Sequence, residues 1–152
     1  MRRQRGFSLI EALVALVILS FGLIGVAAMQ LKALQSATAG YQHSVATLAA
    51  VDAQERLWAQ LGLGKECSNI DINNAVTIQG DTDNPGWETY WFGSEAQEAA
   101  TPLREFMGTI YDENSTNYPS EYPELGPCEF LIEIDMQDGY DPFTYNFRLP
   151  NL

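Results

Sequence analysis

The chain has 152 residues, a length that suits one modest globular domain and one additional element. Eight Lys and Arg stand against 20 Asp and Glu, for a formal net charge of −12 at pH 7. Because binding to a phosphate backbone is driven by Lys and Arg, this acidic balance argues against nucleic acid as a partner.

The N-terminus combines a basic start with a long apolar segment. Arg2, Arg3 and Arg5 precede residues 7–29, FSLIEALVALVILSFGLIGVAAM, in which Glu11 is the single charge. As a helix this segment would extend roughly 35 Å, enough to cross a hydrocarbon core of about 30 Å. An ordinary secretory signal has an apolar region of only about 7–15 residues. We therefore predict a retained membrane helix rather than a plain signal peptide, with its N-terminus on the cytoplasmic side.

Helix-compatible sequence continues through residues 30–61 without a proline. Its larger apolar side chains recur at spacings of three, four or seven, which predicts an amphipathic helix with one apolar stripe. The stripe comprises Leu31, Leu34, Tyr41, Val45, Leu48, Val51, Trp58 and Leu61. Gly62 and Gly64 then supply a stop. We expect one helix of about 55 residues, its first half in lipid and its second half against a soluble domain.

Beyond Gly64, short apolar runs alternate with turn-forming residues. Residues 128–137 (CEFLIEIDMQ) and 143–149 (FTYNFRL) alternate apolar and polar side chains on either side of a turn at 138–142, which predicts an antiparallel hairpin. Residues 75–79 (AVTIQ) and 87–92 (WETYWF) are two further predicted strands.

Two segments of this half have other signatures. Ser94 followed by EAQEAATPLREFMGTIY predicts a short helix whose regularity is limited by Pro102. Residues 112–127 are rich in Asn, Ser, Tyr and Pro, and they predict a surface loop.

The junction Arg5-Gly6-Phe7-Ser8-Leu9-Ile10-Glu11 places a lone carboxylate near the start of the apolar helix. A charge inside such a helix costs roughly 2.5–3.5 kcal/mol, so it needs a partner. If the chain were cut between Gly6 and Phe7, the new α-amine would be mostly protonated at neutral pH. It would lie about one helical turn from Glu11, on the same or a neighbouring chain. Charge neutralisation between subunits could then promote assembly in lipid, although Glu11 could instead reach the interface by snorkelling.

The complete pattern GFSLIEALVALVILSFGLIGVAAMQ resembles the class III leader and first helix of type IV prepilins, and it is most similar to the PilV-type minor pilins. The resemblance is specific over about residues 6–60 and thin over the C-terminal half. It implies an α+β type IV pilin fold, in which a long N-terminal helix packs on a small antiparallel sheet with a disulfide-bounded C-terminal region. By motif match, a prepilin peptidase would cleave after Gly6 and N-methylate Phe7, and Glu11 would be the neutralising carboxylate. Major pilins usually have a proline at the position of Ala28, so its absence fits a minor pilin or a pseudopilin.

The resemblance also implies an organisation and a setting. Residues 1–6 would be a cleaved leader, 7–29 the transmembrane and filament-core half of the helix, 30–62 its amphipathic half, and 63–152 an α+β head. The expected partners are prepilin peptidase, other pilins and the inner-membrane assembly platform. The head would be periplasmic before assembly and extracellular afterwards. The implied function is to prime or modify pilus assembly, and so adhesion and twitching motility. A minor pseudopilin of a type II secretion system is the alternative.

The remaining reactive side chains are few. Cys67 and Cys128 form neither a CxxC motif nor a Cys/His cluster, which excludes the usual zinc spacings. In an exported domain we expect them to form a disulfide, with two buried free thiols as the alternative. Asp81 and Asp83 resemble a calcium loop only loosely, so no cofactor is expected and calcium is a secondary hypothesis. No nucleophile motif or ligand cluster supports an enzyme, such as a membrane-anchored hydrolase.

Overall fold

The computed structural model describes residues 8–80, 85–93, 101–136 and 141–151. The chain divides into two compact units between Tyr41 and Gln42. Helix α1, Leu9–Gly62, is 54 residues long and contributes residues to both units. The prediction of one long helix ending at Gly62 is therefore confirmed.

In the N-terminal unit, α1 has an apolar surface that is exposed throughout its described residues. Residues 9–38 are all exposed, including Leu9, Phe21 and Met29. The hydroxyl of Ser20 donates to the carbonyl oxygen of Leu16 at 2.8 Å, so it presents no unsatisfied donor to its surroundings. By length and composition, α1 can cross a membrane. Because such a surface is unfavourable in water, it requires lipid or other apolar helices around it.

In the C-terminal unit, residues 42–62 of α1 contribute one face to a packed core. Ala46, Ala49, Ala53 and Leu57 are fully buried, at the three- and four-residue spacing of a single helix face. The predicted apolar stripe is therefore wrong for these members, which are exposed: Tyr41, Leu48, Val51 and Trp58. The small alanines let neighbouring segments approach the helix backbone closely. The indole nitrogen of Trp87 thereby donates to the carbonyl oxygen of Ala49 at 2.6 Å. This bond satisfies the one polar atom of a large buried side chain.

Among the described residues, three strands form an antiparallel sheet in the order β1-β2-β3. The strands are β1, Met107–Tyr111, β2, Glu129–Asp135, and β3, Phe143–Arg148. Their register places Ile132 of the central strand between Ile110 and Tyr145. The predicted hairpin is confirmed, and Phe130, Ile132 and Ile134 are buried in the core as predicted. The alternation is not strict, because Leu131 on the other face of β2 is buried too.

Two of the predicted strands are wrong. Residues Ala75–Gln79 form a π-helical turn and residues Trp87–Trp91 form helix α2. The side-chain oxygen of Asn74 accepts hydrogen bonds from the backbone N–H groups of Val76 and Thr77, which caps the first of these turns. The aromatic and β-branched residues that predicted strands serve instead to fill the core, since Trp87 and Ile78 are both buried.

The helix predicted from Ser94 to Tyr111 is also wrong where the structure describes it. Residues 101–106 form turns, and the following five residues form β1. Gly108 lies so close to Trp87 and Phe92 that a Cβ at this position would overlap the Phe92 ring. Pairing with β2 and this close packing outweigh the local helix preference. Residues 94–100, like 138–140 of the predicted hairpin turn, lie outside the described residues.

The predicted loop at residues 112–127 contains neither a helix nor a strand, as expected. A long apolar N-terminal helix, a small antiparallel sheet and a disulfide between Cys67 and Cys128 together match the type IV pilin fold. The predicted α+β fold class is confirmed.

Candidate functional site

Glu11, the lone carboxylate of the apolar segment, lies in the first turn of α1. The carbonyl oxygen of Ser8 accepts hydrogen bonds from the backbone N–H groups of Glu11 at 3.0 Å and Ala12 at 3.3 Å. In return, the Oε2 atom of Glu11 accepts from the backbone N–H of Ser8 at 3.4 Å. This is the backbone-directed half of a capping box, and its negative charge lies at the positive end of the helix dipole.

The capping role of Glu11 was not predicted, although the Ser-x-x-Glu spacing at residues 8–11 is its sequence signature. The carboxylate is already directed at the point where the chain enters the helix, one residue after Phe7. Gly6 and Phe7 themselves lie outside the described residues, so their roles in cleavage and methylation stay predictions.

Glu11 has no countercharge along the apolar part of its own helix. Residues 12–31 contain no Asp, Glu, Lys or Arg, and the next charge is Lys32. Lys32 lies 21 positions after Glu11, which along a helix is about 30 Å and far beyond the reach of an ion pair. A cation for Glu11 must therefore come from the N-terminal side of the helix or from another chain.

The predicted disulfide between Cys67 and Cys128 is present, with the two Cα atoms 5.3 Å apart. Cys67 begins a 3₁₀ helix, Cys67–Asn69, shortly after α1, and Cys128 immediately precedes β2. Both cysteines are buried. Cys128 has a φ of 63°, a left-handed conformation that is uncommon for a residue with a side chain. Its carbonyl oxygen accepts from the backbone N–H of Leu149 at 2.9 Å, which joins the disulfide to the end of β3.

The calcium hypothesis at residues 81–83 stays a prediction. Asp81 and Asp83 lie outside the described residues. In the part of the chain that the structure describes, no three His, Cys, Asp or Glu side chains are grouped so as to hold a metal ion.

The sheet face opposite the core carries a cluster of tyrosines. The ring centroids of Tyr111 and Tyr118 are 5.5 Å apart, and those of Tyr118 and Tyr122 are 6.1 Å apart. Tyr118 also donates its hydroxyl hydrogen to the carbonyl oxygen of Pro123 at 2.7 Å. The loop at residues 112–127 is thereby held against the sheet by aromatic packing.

Glu133 lies beneath this cluster. Its Oε2 atom and the hydroxyl of Tyr122 are both buried. Burial, together with the negative charges of Glu121 and Asp135, raises the pKa of Glu133 above 4.5, although the nearby Tyr122 hydroxyl offsets part of the effect. Burial and the charge of Glu133 raise the pKa of Tyr122 to about 12. The charged form of Glu133 is therefore disfavoured in the folded protein.

The comparisons with known proteins concern the N-terminus. Residues 1–27 match the family described as the prokaryotic N-terminal methylation motif. No curated protein and no solved structure matches the chain. The motif supports a type IV pilin-like or pseudopilin subunit, and with the apolar helix that follows it indicates membrane anchoring.

Proposed function

We propose that this chain is a minor type IV pilus subunit of the PilV type, cleaved between Gly6 and Phe7, N-methylated on Phe7 and assembled through its N-terminal helix. The observation that carries the proposal is the methylation motif at residues 1–27, which leads directly into an apolar helix with Glu11 in its first turn. The role is structural rather than catalytic. The partners are prepilin peptidase, other pilins and the inner-membrane assembly platform.

The exposed apolar surface of residues 9–38 supports a transfer of this helix from the lipid bilayer into the filament. Lipid tails and neighbouring apolar helices cover this surface about equally well, so the hydrophobic effect alone gives little preference for the filament. A pairing of Glu11 with the Phe7 amine of an adjacent subunit supplies that preference, because it neutralises two charges where water is scarce. The capping geometry supports this pairing, since the carboxylate is already directed towards the N-terminus of the helix.

The minor-subunit part of the proposal is supported by the continuity of α1 through Ala28. A proline at this position would remove a helix hydrogen bond and bend the helix. A minor pseudopilin of a type II secretion system would share this feature, and it is the alternative. Mass spectrometry of filaments purified with the protein separates the two, because pilus pilins accompany it in one case and secretion pseudopilins in the other.

The intact mass of the mature protein tests the processing step. We expect the chain to begin at Phe7 with one added methyl group. Gly6→Ala should retain the leader, because the peptidase acts after that glycine. Gly25→Ala is the matched control, since its Cβ would meet no atom within 4 Å and it lies far from the cleavage point. A wild-type chain that begins near residue 30 would show an ordinary signal peptide and overturn the proposal.

A further inference from the structure

A polar groove lies in the C-terminal unit between residues 70–73, which follow the disulfide-bonded 3₁₀ helix, and residues 109–117, which span the end of β1 and the start of the next loop. Its volume of about 420 Å³ lies within the range of roughly 300–1,000 Å³ that is usual for small-molecule sites. The groove takes no part in the assembly mechanism proposed above.

Both walls of the groove are held in place by hydrogen bonds. On one side, the buried side chain of Gln60 binds the backbone of Asp71 twice, accepting from its N–H and donating to its carbonyl oxygen, each at 3.0 Å. On the other side, the Oδ1 atom of Asp112 accepts from the backbone N–H of Asn114 at 3.0 Å and from the hydroxyl of Ser115 at 2.7 Å. Walls fixed in this way reduce the ordering cost of binding.

The lining has the chemistry of a site for hydroxyl groups. Asn73, Asn114 and Asn117 are exposed along it, and each amide offers both a donor and an acceptor. Asp71 and Asp112 each use Oδ1 in a local turn, which leaves Oδ2 to accept a hydrogen bond from a ligand. Adjacent hydroxyls on a ring present alternating donors and acceptors, so they match such a set of amides and carboxylates.

The groove also has apolar surface. Its half-buried apolar lining residues are Ile72 and Tyr111, and the ring of Tyr111 is held by packing against Tyr118. Aliphatic and aromatic surface of this kind packs against the C–H face of a sugar ring, while the polar rim binds its hydroxyls.

We propose that this groove binds a neutral saccharide of one or two rings. An anionic saccharide is disfavoured by the lining, which includes two carboxylates and, among its described residues, no Lys, Arg or His. The proposal goes beyond assembly and does not rest on it. Binding by the head is expected whether or not the chain enters a filament.

Saturation-transfer difference NMR on the full chain tests the proposal, with the protein in dodecyldimethylamine oxide, a detergent without a sugar headgroup. The probes are the methyl glycosides of glucose, galactose and mannose, N-acetylglucosamine, and glucuronate as the anionic counterpart. We expect at least one neutral sugar to bind with a Kd on the order of 1 mM. Glucuronate should bind several-fold more weakly, because the carboxylates of the groove repel it.

Asn114→Ala with Asn117→Ala should weaken binding of that sugar about tenfold, because two hydrogen-bonding amides are lost. Asn146→Ala is the control, since Asn146 is an exposed residue of β3 outside the groove and its loss should leave the Kd unchanged. Unchanged unfolding midpoints show that both variants are folded. The proposal is overturned if no neutral sugar binds at tens of millimolar, if glucuronate binds as well as the neutral sugars, or if the double variant binds like the wild type.

Discussion

The two units of the chain use apolar residues in opposite ways. In the N-terminal unit, residues 9–38 of α1 bury no side chain, although most of them are apolar. In the C-terminal unit, the same helix buries Ala46, Ala49 and Leu57 completely against a core that includes Trp87 and Ile132. The C-terminal unit therefore has a core of its own, whereas the N-terminal segment of α1 is left exposed by the described residues. Substitutions in the head should change the free energy of unfolding, and those in the N-terminal segment should change where the protein is found.

The largest effect on unfolding should follow loss of the disulfide. Cys67 and Cys128 are separated by 61 residues, and closing a loop of this length contributes about 4 kcal/mol in the chain-entropy model. Cys67→Ser combined with Cys128→Ser should lower the free energy of unfolding by about that amount. Guanidinium denaturation of the full chain in detergent measures it. Equal midpoints for wild type and variant, or native thiols that react freely with an alkylating reagent, would contradict the assignment.

A smaller loss in the free energy of unfolding should follow when a side chain is added at Gly86, where two backbone segments lie close together. A Cβ at Gly86 would overlap the backbone of Gly80 and lie 2.6 Å from the carbonyl oxygen of Ile78. Gly86→Ala should therefore cost about 1–3 kcal/mol, because backbone atoms must move to make room. Gly22→Ala is the matched change in the other unit, where a Cβ meets nothing within 4 Å. Denaturation curves of the head should shift for the first variant only, and equal shifts would contradict the contrast between the units.

The smallest effect is a change in pH dependence at Glu133. Because its pKa is raised in the folded protein, the folded state holds this proton more tightly than the unfolded state does. Stability is therefore lost as pH rises above the ordinary value of 4.5 and through the folded pKa. Glu133→Gln should match the wild type below that value and be more stable at neutral pH. Glu113→Gln, at an exposed position, should follow the wild type throughout. Parallel stability curves for wild type and Glu133→Gln would contradict the burial of this charge.

The elements predicted correctly from sequence are those with long or strict periodicity. The apolar run and the glycine stop define α1, and the alternation from Cys128 to Met136 defines β2. The segments predicted wrongly are short, and tertiary contacts decide their structure. At Ala75–Gln79 a local asparagine cap overrides β-branched residues, and at β1 the pairing with β2 overrides a helix-like stretch.

Some features of the candidate site could be predicted from the sequence, and others form only when the chain folds. Glu11 was identified because a lone charge in an apolar segment is visible in any sequence, and the disulfide because the chain has two cysteines. The groove was not identified, since it joins residues 70–73 to residues 109–117 only after folding. The burial of Glu133 was missed for a related reason. Its place in an alternating strand predicts a solvated face, but Tyr118 and Tyr122 of the preceding loop cover it.

The central claim is that the charge of Glu11, and not only its capping of α1, drives assembly. Glu11→Gln decides it, because glutamine retains the capping acceptor and loses the charge. Quantitative blots of inner-membrane and sheared-filament fractions give the incorporated share, with Glu66→Gln, an exposed head residue, as the control. We expect Glu11→Gln to be cleaved normally and its filament share to fall about tenfold or more, since leaving one charge of a buried pair unmatched costs about 3–5 kcal/mol. Glu11→Asp should be intermediate. Normal incorporation of Glu11→Gln would contradict the account and leave helix packing alone to explain assembly.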